Sequence, residues 1–292
     1  MIRRLAGFFT YFMRHYLPDA YLFAVLLTLL TAVLALAFTP SDIMKVITTW
    51  GDGIYGIIAF AMQMILILVT GYCLALTPPV SKVLNGIAAL ATTPVKGAMI
   101  TAFVASLAGW INWGFGLIVG GFLALEIANR QRKSDFPLLI AAAYSSLGIW
   151  HMGFSGSVPL LLATPKSNLN LIEKITGSIV PISNTILASW NLIPVLIMLF
   201  TIPFLFYFMH PKEEDSIGLT AERAKELLGE TVEVERPANP TLAERIDHSY
   251  IINFIFAALG VVYLVNHFIK KGFDLNLNIV IFLFFILGVI LH

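Results

Sequence analysis

Two short clusters of glycine with asparagine or serine lie at the centres of long apolar stretches. The first cluster is Asn112–Gly116 (NWGFG) and the second is Gly153–Ser157 (GFSGS). Amide and hydroxyl side chains donate hydrogen bonds to a carboxylate, and glycine lets a solute approach the backbone closely. The clusters therefore predict a binding site for a small anion. Its candidate residues are Asn112, Gly114, Gly116, Ser155, Gly156 and Ser157.

The second cluster is also similar to the nucleophile elbow of serine hydrolases, G-x-S-x-G, and His151 stands nearby as a candidate base. The last position of the pattern is Ser157 instead of glycine. The elbow requires a turn between a strand and a helix, whereas the flanking residues predict membrane helix. We therefore expect no enzymatic activity, and a hydrolase that uses Ser155 is the disfavoured alternative.

A coupling ion is the second ligand that polar residues in this chain could hold. No Asp or Glu lies inside a predicted span before Glu126, and proton-coupled carriers often use such an acid. The neutral oxygen atoms of Ser183, Asn184 and Thr185 suit Na⁺, although these residues could equally form a turn or a helix cap. His151 could instead carry a proton. The sequence slightly favours Na⁺ over H⁺ and predicts no other cofactor.

The composition requires that these residues be positioned in a membrane. Hydrophobic residues make up 58% of the chain, charged residues only 12%, and the mean hydropathy is +0.86. Soluble proteins carry about 25% charged residues, so lipid must be the solvent of most of this surface. The net charge of +1 gives no reason to expect a nucleic-acid partner. The single Cys73 excludes an intrachain disulfide and a cysteine-based metal site.

The apolar periodicity predicts several membrane spans behind an amphipathic helix at residues 2–16. A polar turn is expected at 39–53 and a loop at 77–96. From His210 to Asp247 the chain has ten acidic and five basic residues, which predicts a soluble loop with one short helix at 220–228. The predicted simple spans are Tyr21–Phe38, Ile54–Leu76, Leu192–Met209, Tyr250–Ile269 and Leu275–Leu291.

The two clusters lie in segments 97–128 and 136–165, which are too long for single straight spans. The first would run about 48 Å as one helix, against about 30 Å of hydrocarbon. We therefore expect discontinuous helices or re-entrant hairpins whose breaks share one site near mid-membrane. Such breaks survive in a bilayer only where protein or a wet cavity satisfies the backbone. The alternative for Gly116 and Gly120 is a helix-packing face.

Basic residues in short loops predict a cytoplasmic N-terminus. Arg130, Arg132 and Lys133 place the loop 129–135 on that side, whereas Lys270 and Lys271 place the acidic loop outside. The first span and the span at 250–269 then run in opposite senses, as in an inverted repeat. The expected division is 1–17 interfacial segment, 18–209 first repeat, 210–247 acidic loop and 248–292 start of a second repeat.

Together these motifs resemble the bacterial short-chain fatty acid transporter family over residues 1–292. The motifs that carry the resemblance are YLPD at 16–19, WGDG at 50–53, INWGFGL at 111–117, GFSGSVPL at 153–160 and ATP at 163–165. The resemblance implies an all-α, polytopic inner-membrane carrier of acetoacetate, butyrate and similar acids. Neither break contains Arg. A site for a dicarboxylate would more often use Arg to bind the second carboxylate, so its absence favours monocarboxylates.

The family pattern continues beyond His292, which implies a truncated product, a fragment or one half of a split protein. Its partner would then be a second chain that supplies the missing half, or further copies in a homo-oligomer. Two alternatives to a monocarboxylate carrier stay open. One is a membrane subunit that is inactive without a second chain, and the other is a carrier of a different small organic anion, such as a dicarboxylate.

Overall fold

The computed structural model describes residues 2–228 and 250–291. These residues are mostly helical, and no strand occurs among them. In the part of the chain that the structure describes, six helical segments are long and apolar enough to cross a membrane, which confirms an all-α polytopic membrane protein. They are Ala20–Phe38, Ile58–Ala75, Pro94–Ile111, Phe136–Ala163, Ser189–Met209 and Asn253–Lys271.

The first of two compact units comprises residues 1–62. It contains α1 (Ile2–Tyr16), α2 (Ala20–Phe38) and α3 (Ile43–Gly56). The Asp19 carboxylate accepts from the Tyr21 amide at 2.9 Å and so caps the predicted first span. The predicted polar turn at 39–53 is wrong, because the Asp42 side chain caps α3 by accepting from the Lys45 amide at 2.7 Å.

The second unit, residues 63–292, contains the two broken segments. Helix α4 comprises Ile58–Ala75. The predicted loop at 77–96 is instead mostly α5 (Pro78–Ala89). Its two prolines occupy the first turn, where a missing N–H costs no helical hydrogen bond. The first broken segment forms α6 (Pro94–Ile111) and α7 (Trp113–Arg130).

The second broken segment is divided more finely than the first. It comprises α8 (Phe136–Tyr144), two 3₁₀ turns at Ser145–Gly148 and Trp150–Met152, and α9 (Ser157–Ala163). The predicted short helix at 220–228 is confirmed, and residues 229–247 of the acidic loop lie outside the described residues. The remaining helices are α10 (Leu171–Thr176), α11 (Ser189–Met209), α12 (Ala221–Leu228), α13 (Tyr250–Lys271) and α14 (Leu277–Leu291).

Small residues bring α6 and α7 into close antiparallel contact. A methyl group on Gly116 would overlap the Gly109 backbone, and one on Gly120 would lie 2.8 Å from Ala105 Cβ. Close backbone approach of this kind is how helices pack in lipid, where no hydrophobic force drives them together. Gly116 and Gly120 therefore lie on a helix-packing face, which was the alternative interpretation of these two glycines.

The start of the acidic loop is bound to the loop between α7 and α8. The buried Asp135 carboxylate accepts from the Leu138 amide at 2.9 Å and, with its other oxygen, from the Ile217 amide at 2.9 Å. The Phe136 amide donates to the Ile217 carbonyl at 2.8 Å. Lys133 pairs with Glu213, whose hydrogen bond raises the pKa of Lys133 above its usual value.

These contacts place residues 213–217 and the basic loop 129–135 at the same end of the bundle. The prediction that the basic loop and the acidic loop lie on opposite sides is therefore wrong. It depended on Lys270 and Lys271, which follow a long loop, and long loops report orientation poorly. The argument for an inverted second repeat loses that support.

Candidate functional site

The first break consists of one residue, Asn112. Its backbone is extended, with φ −152° and ψ 126°, so the chain reverses between α6 and α7. The Asn112 amide donates to the Ala108 carbonyl and ends α6, while the Asn112 Oδ1 atom accepts from the Phe115 amide at 3.0 Å and begins α7. Asn112 is fully buried. The first broken segment is thus two 18-residue helices joined at Asn112, where the break was expected.

The second break is a short extended stretch between the 3₁₀ turns and α9. Gly153 has φ −105° and ψ −176°, and a methyl group there would overlap the Trp110 carbonyl oxygen. A methyl group on Gly156 would overlap the His151 carbonyl oxygen. Both glycines are therefore needed because the backbone of the break packs against other backbone.

The two breaks are in direct contact. The Trp113 amide, the first of α7, donates to Ser155 Oγ at 2.8 Å. The Phe154 amide donates to the Trp110 carbonyl at 2.8 Å, and the rings of these two residues lie 4.9 Å apart. Ser155 is fully buried. The expectation that the breaks lie together is correct, although in this conformation Ser155 accepts from the protein itself.

Helix α4 covers the beginning of α7. A methyl group on Gly71 would lie 2.7 Å from Asn112 Oδ1, and one on Gly114 would lie 2.8 Å from the Leu68 Cα atom. The predicted solute-facing glycines therefore have packing roles here: Gly114 lies against α4 and Gly116 against α6. A solute could reach these backbone atoms only after α4 or α6 moved away from α7.

At the other end of α9, as at Ser155, a side-chain hydroxyl accepts a hydrogen bond from the first amide of another helix. Thr164 Oγ1 accepts from the Leu277 amide, the first of α14, at 3.3 Å. Asn276 Oδ1 accepts from the Ile279 amide at 3.2 Å, as Asn112 does from Phe115. Ser155 and Thr164 thus contact the first amides of two different helices. Near this contact, Gln63 donates to Asn278 at 2.8 Å, which is the interhelical hydrogen bond expected of a glutamine in a span.

Two buried asparagines hold the second broken segment in place, and neither was expected from the sequence. Asn191 Nδ2 donates to the carbonyls of Met152 and Ile186, both at 2.9 Å. Asn170 Nδ2 donates to the carbonyls of Leu162 and Thr164. An amide side chain next to a long apolar run is the signal that could have identified Asn191.

The candidate coupling-ion residues lie beside α9 and do not bond to the breaks. Ser183 and Asn184 belong to an exposed 3₁₀ turn, and the Thr185 hydroxyl is buried with no partner in the part of the chain that the structure describes. His151 is exposed, with its ring 4.5 Å from that of Trp150.

Comparison with known proteins agrees with these features. The short-chain fatty acid transporter family matches residues 1–292. The chain is 41% identical over its whole length to an Escherichia coli (strain K12) protein and 40% identical to one from Haemophilus influenzae, both named for short-chain fatty acid transport. It spans 65% and 66% of the length of these two relatives.

The family match covers the whole chain and gives no support to the expectation of truncation. No solved structure matches. The family and the two relatives are named for transport and not for an enzymatic reaction. The apolar helices show that it crosses the membrane several times. This chain belongs to the short-chain fatty acid transporter family.

Proposed function

We propose that the protein is a secondary transporter of short-chain monocarboxylates, such as acetoacetate and butyrate, in the bacterial inner membrane. The observation that carries this proposal is the hydrogen bond from the Trp113 amide to Ser155 Oγ, which joins two helix breaks. Breaks in spans are the usual place of solute sites in carriers. The names of the two relatives support the substrate class.

The first turn of α7 would bind the substrate carboxylate. Its N–H groups carry the positive end of the helix dipole, which favours an anion. In the present conformation the Ser155 hydroxyl accepts from the Trp113 amide. When the breaks separate, a carboxylate oxygen would replace Ser155 at that amide, and the freed hydroxyl would donate to the same carboxylate. Separation towards one side and then the other would give alternating access.

The absence of positive charge in both broken segments favours a single carboxylate. Neither segment 97–128 nor segment 136–165 contains Lys or Arg. One carboxylate can be held by neutral donors and a helix end, whereas a second would more often require a guanidinium. A carrier of another small anion remains the alternative that transport assays decide.

The finer assignments follow the sequence. The N-terminus would lie in the cytoplasm, because the amino-terminal segment and the loop 129–135 are basic. The coupling ion would be Na⁺ or H⁺, with Ser183, Asn184 and Thr185 as candidate Na⁺ ligands and His151 as the candidate proton carrier. A second chain or a homo-oligomer would be the partner if this chain does not transport alone.

Uptake into proteoliposomes tests the proposal. The full-length gene product should accumulate radiolabelled butyrate, and unlabelled acetoacetate should compete. Uptake of succinate without butyrate would assign another anion to the site. No uptake of either acid by the purified protein, together with uptake after a second membrane subunit is added, would identify the chain as a subunit that is inactive alone.

A further inference from the structure

Five buried side-chain donors near the two breaks have no hydrogen-bond partner among residues 2–228 and 250–291. We call this set the donor layer. Its atoms are Ser106 Oγ, Trp110 Nε1, Asn112 Nδ2, Trp113 Nε1 and Ser146 Oγ. Leaving a buried donor unpaired costs free energy, and most buried polar groups in proteins are paired. So many unpaired donors in one part of a fold therefore need an explanation.

The residues of the donor layer lie around the junction of α6 and α7. Ser106 precedes Trp110 by one turn of α6, so the two side chains share a face. Ser146 lies against Gly109, where a methyl group would come within 2.9 Å of Ser146 Cβ. The Trp113 ring lies 6.1 Å from that of Trp150, next to the second break. Every member is thus in the last turns of α6, at its junction with α7, or in the 3₁₀ turn packed on α6.

The donor layer consists of neutral groups that can all donate hydrogen bonds. Its two indole N–H groups and its amide N–H₂ group can only donate, its two hydroxyls can donate, and none of the five is charged. A cation would meet N–H hydrogens here, so these nitrogen atoms cannot be its ligands. A carboxylate accepts through two oxygens and has about four lone-pair positions, and it therefore complements such a set.

We propose that the donor layer binds the substrate carboxylate and that the indole N–H groups of Trp110 and Trp113 and the hydroxyl of Ser146 are specificity-determining donors. This inference rests on the proposed transport function and adds residues to its site. It also separates the sites of the two solutes, because the donor layer takes the anion and a coupling cation must bind elsewhere.

Conservative variants with matched controls test the donor layer. Trp110→Phe and Trp113→Phe remove an N–H group and keep a ring, and Ser146→Ala removes one hydroxyl. The controls are Trp190→Phe, at an indole that is 64% exposed, and Ser145→Ala, whose hydroxyl donates to the Ala142 carbonyl at 2.6 Å. Butyrate uptake by the full-length gene product gives KM and the maximal rate, and thermal unfolding without butyrate gives the stability.

Each donor-layer variant should raise KM by about tenfold, as expected for a lost hydrogen bond to a charged group, with a smaller change in maximal rate. The two controls should leave KM unchanged. Ser146→Ala should not lower the unfolding temperature, because it removes a donor that has no partner in the empty protein. Ser145→Ala should lower it, because that variant breaks an existing hydrogen bond.

Two results would overturn the inference, and they differ from failure of the proposed function. If the unsubstituted protein takes up butyrate and all three variants keep its KM, the donor layer does not bind substrate. If Ser146→Ala lowers the unfolding temperature and leaves KM unchanged, Ser146 has a structural or water-mediated role and the assignment is wrong. No uptake by the unsubstituted protein would overturn the proposed function and the donor layer together.

Discussion

Trp113 and Ser155 are 42 residues apart in the chain, yet the Trp113 amide donates to the Ser155 hydroxyl at 2.8 Å. Ser155→Ala removes that acceptor and leaves a buried amide unpaired. We expect a loss of stability of about 1–3 kcal/mol and weaker butyrate uptake. Thermal unfolding and uptake assays measure the two effects. Ser189→Ala, at an exposed serine, is the control, and unchanged uptake in Ser155→Ala would move the substrate site elsewhere.

Asn112 combines a cap and a candidate substrate donor, and two substitutions separate these roles. Asn112→Ser keeps an oxygen that can cap α7 and removes the amide donor. Asn112→Ala removes both. We expect both variants to weaken uptake by about 1–3 kcal/mol of binding free energy, and only the alanine variant to unfold at clearly lower temperature. Asn168→Ala, at an exposed asparagine, controls for expression. Normal uptake in the serine variant would limit Asn112 to capping.

Two nearby glycines of α7 test the packing of the hairpin. A methyl group on Gly116 would overlap Gly109, whereas one on Gly121 would meet no atom within 4 Å. Gly116→Ala should destabilise the protein by about 1–3 kcal/mol through overpacking. Gly121→Ala should be neutral or stabilise it by about 0.5–1 kcal/mol, since alanine is the better helix former. Equal unfolding temperatures would mean that α6 and α7 do not pack as described.

The sequence predicted the class of fold and the place of both breaks for one physical reason. A segment much longer than the bilayer must turn back or unwind, and Gly next to Asn or Ser marks where this happens. Asn112 and Gly153 accordingly lie at the two breaks. Lipid-facing spans were also predictable, since apolar side chains suffice there and no specific partner is needed.

Contacts between distant residues were not predictable from local pattern. Nothing near Ser155 indicates that its partner is the Trp113 amide, and nothing near Asp135 indicates Ile217. The helix α3 was missed because Trp50, Gly51 and Gly53 have the composition of a turn, although Asp42 provides a cap.

The contact between Asp135 and Ile217 predicts the sidedness of two loops. Arg132 and Glu214 are exposed and flank this contact. In a protein whose Cys73 is replaced by serine, cysteines introduced at these two positions should react with a membrane-impermeant maleimide from the same side of the membrane. The Cys73→Ser protein without added cysteines should not react. Labelling from opposite sides would contradict the association of residues 213–217 with the loop 129–135.

The coupling ion can be identified by replacing Na⁺ with K⁺ at constant pH. We expect butyrate uptake to fall, because neutral oxygens near Ser183, Asn184 and Thr185 suit Na⁺ and no buried acid is available before Glu126. His151→Gln should retain most uptake, because Na⁺ coupling does not require a proton carrier. Uptake that ignores Na⁺, follows a pH gradient and is lost in His151→Gln would establish proton coupling instead.

The turn at Asn112 also restricts how this sequence can vary. Because one residue both ends α6 and begins α7, no spare residue can absorb a change in chain length. One inserted residue would rotate the downstream helix by about 100° and turn Gly116 and Gly120 away from α6. Insertions and deletions between residues 94 and 120 should therefore be rejected, because they would change the register between α6 and α7.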